Sequence, residues 1–356
     1  MNLTLHLTEN CNLSCTYCLR EKCPRDMTEE VLYKACDLAF SKGTRAGLCF
    51  FGGEPLLKKD LIYKALDYCE AKSEETGLRF DCKMTTNGTL LDEKFLERAR
   101  DAGMIIGLSF DGKAQDVCRR FADKNRSPSS SVVEEKARLL LKYIPDAVAM
   151  MTFAPEAIPY YSESVKYLHE LGFCRITANL AYGKNVSWSD GDLDLLKVEL
   201  EKTSDYLVSM FETDDRLSFG PLHSKMIENI KGHNPAEKCH LGVRQMPVTP
   251  AGDLYPCTSF IGDEDYYLGN VFDGVDYERA AQIAAKSHTP KTCLECDLVK
   301  RCTNSCGCAN RMNTGSENEV SPLQCTYERM IIEAADDLGD RLYSTDCDKF
   351  MERFCG

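Results

Sequence analysis

The sequence predicts an α/β protein: an open-sided barrel of six strand–helix units, a partial (β/α)6 barrel, followed by a small loop-rich domain that needs metal to hold it together. Three observations carry this. Strand-like apolar runs alternate with amphipathic segments from the start to about residue 182, a pattern that implies a parallel sheet with crossover helices. Six such units fall short of the eight in a closed barrel. And of 20 cysteines, eight lie between Cys239 and Cys325, in turn-rich sequence with little apolar content.

The strand runs are residues 3–8 (LTLHLT), 47–51 (GLCFF), 80–86 (FDCKMTT), 104–110 (MIIGLSF), 147–153 (AVAMMTF) and 175–182 (RITANLAY). The first helical segment follows Asp26, and Asp26 with Glu29 has capping-box spacing. Another, LDEKFLERARDAG at 91–103, ends on Gly103, as a helix C-terminus favours. SPSSS at 127–131 reads as a surface loop. Residues 190–212 and 220–232 read as two helices parted by Gly220-Pro221. The expected divisions are 1–185 for the barrel, 186–235 for a helical connection, 236–326 for the cysteine-rich domain and 327–356 for a terminal helix and tail. The closing DCDKFMERFCG has no assigned purpose.

Composition excludes several classes. A 356-residue chain with 43% hydrophobic and 28% charged residues can bury a core and is not disordered. No apolar run approaches the ~18 residues of a membrane span, and MNLTLHLTEN is not an export signal. A net charge of −13 has the wrong sign for a phosphate-neutralising surface. The expectation is a cytoplasmic protein with neither nucleic acid nor membrane as partner. In a reducing compartment, that many thiols read as metal ligands plus buried small hydrophobes.

Cys11-x3-Cys15-x2-Cys18 follows the first strand, at the end of the barrel where active sites are built. Three thiolates leave one coordination position open, which asks for an exogenous ligand; a zinc knuckle completed by Cys23 is the alternative. Downstream stand Cys239-x12-Gly252-x4-Cys257, then Cys293-x2-Cys296-x5-Cys302-x3-Cys306, then Cys325. Seven thiolates exceed one tetrahedral site, though CxxC pairs alone also suit a zinc ribbon. Cys36, Cys49, Cys82 and Cys174 read as core. Cys118 and Cys308 are secondary functional candidates. His6 is expected to face the barrel lumen, while His169 and His288 are expected on helix surfaces.

CNLSCTYC resembles the CxxxCxxC signature of the radical S-adenosylmethionine (SAM) superfamily. Phe51-Gly52-Gly53-Glu54-Pro55 is similar to its GGEP motif, and TTNGT (85–89) and SFDG (109–112) match later motifs. The cysteines from 239 to 325 resemble the SPASM auxiliary domain, Cx9–15Gx4C, a gap, Cx2Cx5Cx3C and a final cysteine, with the last spacing slightly long. The resemblance implies a TIM-like radical SAM barrel with a small C-terminal iron–sulfur SPASM domain. It implies SAM and three [4Fe–4S] clusters as cofactors. The first cluster would be held by Cys11, Cys15 and Cys18. Auxiliary cluster II would be held by Cys293, Cys296, Cys302 and Cys325, and auxiliary cluster I by Cys239, Cys257 and Cys306. The fourth place of cluster I carries His233, which leaves an open iron, ligation by His233, or capture of Cys308 or a substrate thiol. SAM contacts would fall on Tyr17, Gly52, Gly53, Glu54, Pro55, Thr85, Ser109 and Leu180, and on Arg119 or Arg120 for its carboxylate. The two glycines would let backbone approach the ligand, with exposed polar groups meeting the methionine ammonium.

The function implied is modification of a ribosomally made precursor peptide by a 5′-deoxyadenosyl radical, forming a thioether or carbon–carbon crosslink. A flavodoxin- or ferredoxin-like donor would supply electrons. Cys11 lies so near the start that a leader-binding domain is expected to be a separate protein or absent. The competing enzyme reading is oxidation of Cys or Ser to formylglycine, as in anaerobic sulfatase maturases; there an aspartate base follows the second SPASM cysteine, and here Thr258 follows Cys257. A non-catalytic iron–sulfur electron carrier is the reading from another class, and it leaves CNLSCTYC and GGEP unexplained. No residue identifies itself as a general base.

Overall fold

The computed structural model describes residues 1–213, 216–232, 241–242, 245–286, 289–302 and 306–356. Cys239, His233 and His288 lie outside the described residues. The six expected strands form as β1 (Asn2–His6), β2 (Arg45–Phe51), β3 (Arg79–Thr86), β4 (Ile105–Ser109), β5 (Val148–Phe153) and β6 (Arg175–Leu180). Two short strands extend the sheet at its edges: β7 (Ser218–Phe219) beside β6, and β8 (Met246–Val248) beside β1. Their spatial order is β8-β1-β2-β3-β4-β5-β6-β7, every neighbour parallel. At two and three residues, the edge strands are too short to leave a periodic signal, so the sequence reading stopped at six. β8 also ties the cysteine-rich segment into the barrel sheet, inside the stretch expected to be separate.

Alternation along β1 explains its two faces. Leu3, Leu5 and Leu7 are wholly buried, among the apolar side chains of α1 (Glu29–Phe40) and α2 (Lys59–Thr76), while Thr4, His6 and Thr8 point the other way by the period of two. α1 is capped by Thr28, whose side chain accepts from Val31 N, and not by Asp26. Asp26 is instead drawn inward, accepting from Thr8 Oγ1 at 2.6 Å and pairing with Lys58. α3 (Glu93–Asp101) starts on the Asp92 cap and stops at Gly103, whose φ of 61° permits the turn. SPSSS is only partly loop: Ser130 opens α4 (Ser130–Tyr143), and Ser129 is fully buried, donating to Arg119 O at 2.6 Å. α5 (Tyr161–Leu171) completes the fifth crossover.

Beyond the barrel, α6 (Asp190–Phe211) begins with a full capping box of Ser189 and Asp192. It and α7 (Gly220–Lys231) pack against a long helix near the C-terminus. The cysteine-rich stretch contributes α8 (Tyr277–Lys286) and α9 (Gly307–Thr314), and α10 (Pro322–Thr345) follows. Cys325 therefore sits in the first turn of α10, which runs through the division expected at 326. The tail has a packing role: Phe354 is buried and stacks against His223 at 5.6 Å and Phe211 at 6.4 Å. Among the described residues no helix is long and apolar enough to cross a membrane.

Candidate active site and cysteine clusters

The strand ends bring the sequence motifs together at one rim of the barrel. Cys11 follows β1, and Leu13–Cys15 then forms an antiparallel ribbon with Arg119–Phe121, setting Cys15 directly opposite Arg119. Cys11 Sγ faces Leu13 N at 3.4 Å and Asn87 Nδ2 at 3.8 Å. Burial raises the Cys11 thiol, and pushes Cys15 up to about 11, so both would give up their protons to a metal rather than to water.

The GGEP segment is built differently from expectation. Glu54 is buried, and its carboxylate accepts from Thr86 Oγ1 at 2.6 Å, Asn87 N at 2.8 Å and Leu56 N at 3.0 Å. Burial, only partly opposed by these bonds, raises its pKa to about 6. The side chain staples β2 to the TTNGT turn and is not exposed toward a ligand. The glycines serve an approach to backbone: a Cβ on Gly53 would stand 2.0 Å from Asn10 O, and one on Gly52 2.6 Å from Thr8 O. Gly53 N and Glu54 N donate to Thr8 O and Asn10 O at 2.8 and 2.9 Å, locking this segment to the cysteine loop. Pro55 is buried at the start of the next turn.

Arg119 and Arg120 separate cleanly. Arg119 is 7% exposed, its Nε donating to Asp111 Oδ2 at 2.6 Å, with the guanidinium 5.5 Å from the centre of the Tyr17 ring. Burial opposes its charge, yet Asp111, Tyr17 and Cys15 outweigh that and hold its pKa well above the ordinary value. Burial likewise raises Tyr17, whose hydroxyl lies 3.5 Å from Asp111 Oδ2. Arg120 turns away, donating to Asp116 O and Arg126 O at the surface. Thr85 and Ser109 are half-buried at the ends of β3 and β4, and Leu180 is buried at the end of β6.

Three contributors were missed in the sequence. Asp111 lies inside SFDG and organises the site, also accepting from Thr152 N at 2.8 Å. Asn87, inside TTNGT, bonds Asn12 at 2.9 Å and thereby holds the cysteine loop. Arg20, two residues past Cys18, donates to Thr258 O and so joins the loop to the cysteine-rich region. The two motifs were visible, but which of their residues mattered depends on contacts across the barrel. Arg20 had no local signal. His6 lines a cavity of about 270 Å³ with Thr8, Arg20, Gly52, Gly53 and Thr249, and burial pushes its pKa down to about 3, leaving it neutral.

The downstream cysteines sort into two groups. Cys293, Cys296, Cys302 and Cys325 line one cavity, although Cys325 comes from α10, Cys293 from a short 3-10 turn and the other two from loops. Arg329 Nη2 stands 3.6 Å from Cys296 Sγ. Separately, Cys308 Sγ lies 3.1 Å from Cys257 Sγ and 3.6 Å from Cys306 Sγ. The hydrogen bond from Cys308 is the main reason that the Cys257 thiol is lowered to about 6. Among the described residues no three His, Cys, Asp or Glu side chains close around a point as ligands of one metal ion. Thiols surrounding a volume fit a multi-iron core better than a single ion.

The radical SAM superfamily matches residues 5–196, more than half of the chain. The chain belongs to the radical SAM superfamily. Membership implies SAM and a [4Fe–4S] cluster, and the three-thiol loop beside Arg119 and Tyr17 has the donor chemistry for both. The serine-type anaerobic sulfatase-maturating enzyme of Bacteroides thetaiotaomicron is 26% identical over 353 residues, spanning 87% of this chain and 82% of that enzyme. The solved structure of native anSMEcpe with bound AdoMet and Kp18Cys peptide is 21% identical, with a TM-score of 0.80, over 98% of this chain and 100% of that one. Streptococcus suis SuiB bound to precursor peptide SuiA is 17% identical, with a TM-score of 0.65, over 91% of this chain and 75% of that one. Both structural likenesses are of fold. They extend the radical SAM architecture beyond the barrel and through the cysteine-rich region.

Proposed function

We propose that this radical SAM protein modifies a ribosomally made peptide, forming a thioether or carbon–carbon crosslink. The observation that carries the reading is the pairing of two cysteine sites: a three-thiol loop, joined through Arg20 to a cysteine-rich region with four thiols around one cavity. Peptides bound in the anSMEcpe and SuiB structures support a peptide as the substrate class.

In this reading Cys11, Cys15 and Cys18 hold the first cluster. Tyr17, Ser109, Thr85, Leu180, Pro55 and the Gly52-Gly53-Glu54 backbone surround SAM. Arg119, charged and held in place by Asp111, faces its carboxylate. When bound, the cofactors supply a 5′-deoxyadenosyl radical that takes a hydrogen atom from the substrate. A crosslink removes two hydrogens from the peptide. One becomes the new hydrogen of 5′-deoxyadenosine; the other leaves as a proton and an electron. Cys293, Cys296, Cys302 and Cys325 for one auxiliary cluster, and Cys239, Cys257 and Cys306 for the other, would give that electron a way out. A flavodoxin- or ferredoxin-like donor and a cytoplasmic setting complete the proposal, with a separate leader-binding protein where the precursor needs one.

The formylglycine alternative wants a carboxylate after Cys257. Thr258 stands there, its carbonyl occupied by Arg20, while the nearby Asp253 is engaged by Asn270 Nδ2 at 2.9 Å. The test is anaerobic incubation of reconstituted enzyme with SAM, a reductant and a synthetic cysteine-rich peptide. Loss of two hydrogens without a hydrazide-reactive aldehyde is the expected product. An aldehyde product supports the sulfatase-type alternative, and absence of 5′-deoxyadenosine overturns both.

A further inference from the structure

We infer that Cys308 is a ligand of the auxiliary cluster held by Cys257 and Cys306, so that the protein itself supplies the coordination that His233 was a candidate to fill. The inference rests on the auxiliary-cluster reading above. Cys308 falls outside the SPASM spacing, yet its sulfur lies against both Cys257, at 3.1 Å, and Cys306, at 3.6 Å.

The local fold explains the placement. Cys306 is the N-cap of α9, and Cys308 is the second residue of its first turn. Gly307 between them is pressed against the buried Leu241: a Cβ there would lie 3.0 Å from Leu241 Cδ1. Cys308 is 7% exposed, so the sulfur is shielded from water. The first turn of α9 also presents backbone N–H groups with no intrahelical partner and the positive end of the helix dipole, which favour an anionic cluster at this place. Thiolates on neighbouring irons stand farther apart than these sulfurs do, so the side chains open about χ1 as the site fills. Ligation replaces the S–H bond of Cys308 by an Fe–S bond and releases the proton to solvent.

A site closed in this way has no iron free for a substrate thiol. It is an electron conduit, and the crosslinking reaction must orient the substrate cysteine by other groups.

The experiment uses the full chain carrying C11A, C15A and C18A, which removes the first cluster, after anaerobic reconstitution. Iron, sulfide and the EPR spectrum of the reduced protein are compared for this background and for added Cys308→Ala, Cys308→Ser and Cys306→Ala. Cys308→Ala is expected to lose up to one cluster's iron or to convert its signal to a three-iron form. Cys308→Ser, with an oxygen ligand in the same place, is expected to keep more iron with shifted g-values. The signal of the cluster held by Cys293, Cys296, Cys302 and Cys325 should persist throughout and reports that each variant has folded. If Cys306→Ala loses a cluster while both Cys308 variants match the background, the inference is overturned and the auxiliary-cluster reading stands. If Cys306→Ala also leaves iron and spectrum unchanged, the reading beneath it fails.

Discussion

Asp111 and Arg119 are buried together, 1% and 7% exposed, and the geometry at the barrel rim depends on that pair. Asp111→Asn would leave a buried guanidinium without its counter-charge, and breaking a buried pair from one side costs about 3–5 kcal/mol. A fall of that size should appear in denaturant unfolding, together with weaker SAM binding; a variant as stable as the parent would contradict the assignment. Glu54 makes a second residue-scale prediction. Its pKa is raised to about 6 from 4.5, so between those values the folded state binds more protons than the unfolded state. Its contribution to stability is fully present below about pH 4.5 and is lost as pH rises through about 6. The difference in unfolding free energy between the parent and Glu54→Gln, measured from pH 5 to 8, should fall up to about pH 6 and be flat above; a slope confined to higher pH would count against it. The sequence could offer both arginines for the carboxylate but not choose, because neighbours on a strand point to opposite faces and nothing local says which face is lined by Asp111.

At the scale of elements, the contact between the GGEP segment and the cysteine loop is backbone against backbone. Gly53→Ala, whose Cβ would stand 2.0 Å from Asn10 O, cannot be relieved by a rotamer change. It should cost the first cluster and SAM cleavage while leaving the auxiliary irons. Gly77→Ala is the contrast: Gly77 has φ 69° at the end of α2 and nothing within 4 Å, so about 1 kcal/mol of backbone strain is expected with full iron content. Iron analysis of the two variants separates a cofactor effect from a stability effect. The six long strands and the major helices were legible because each repeats its apolar pattern over five or more residues. What escaped were elements fixed by partners distant in sequence: β7 and β8, which exist by pairing with β6 and β1, and the Thr28 cap, where Asp26 is diverted to Thr8 and Lys58.

At the scale of the molecule, the barrel carries its own apolar core while the cysteine-rich segment is tied to it by β8, Arg20 and α10. The segment buries more apolar surface than its sequence suggests, Leu254, Phe260 and Leu268 lying in the common core, yet its cysteine loops should still loosen on metal loss, since bound metal contributes folding free energy. Chelation under anaerobic conditions is expected to expose residues 249–325 to protease while the barrel resists; uniform resistance would contradict it. The cysteine spacing grouped Cys293, Cys296, Cys302 and Cys325 in the sequence, and the fold brings Cys325 from a helix to line one cavity with the other three. The sequence left the surroundings of Cys308 open because its proximity to Cys257 spans some fifty residues. The most direct test of the account is iron and labile sulfide per chain after anaerobic reconstitution, read with 5′-deoxyadenosine formation from SAM. Three four-iron clusters predict about twelve irons, falling by about four with loss of SAM cleavage in the variant lacking Cys11, Cys15 and Cys18. A protein that instead holds one or two zinc ions, with no labile sulfide and no SAM cleavage, would contradict it.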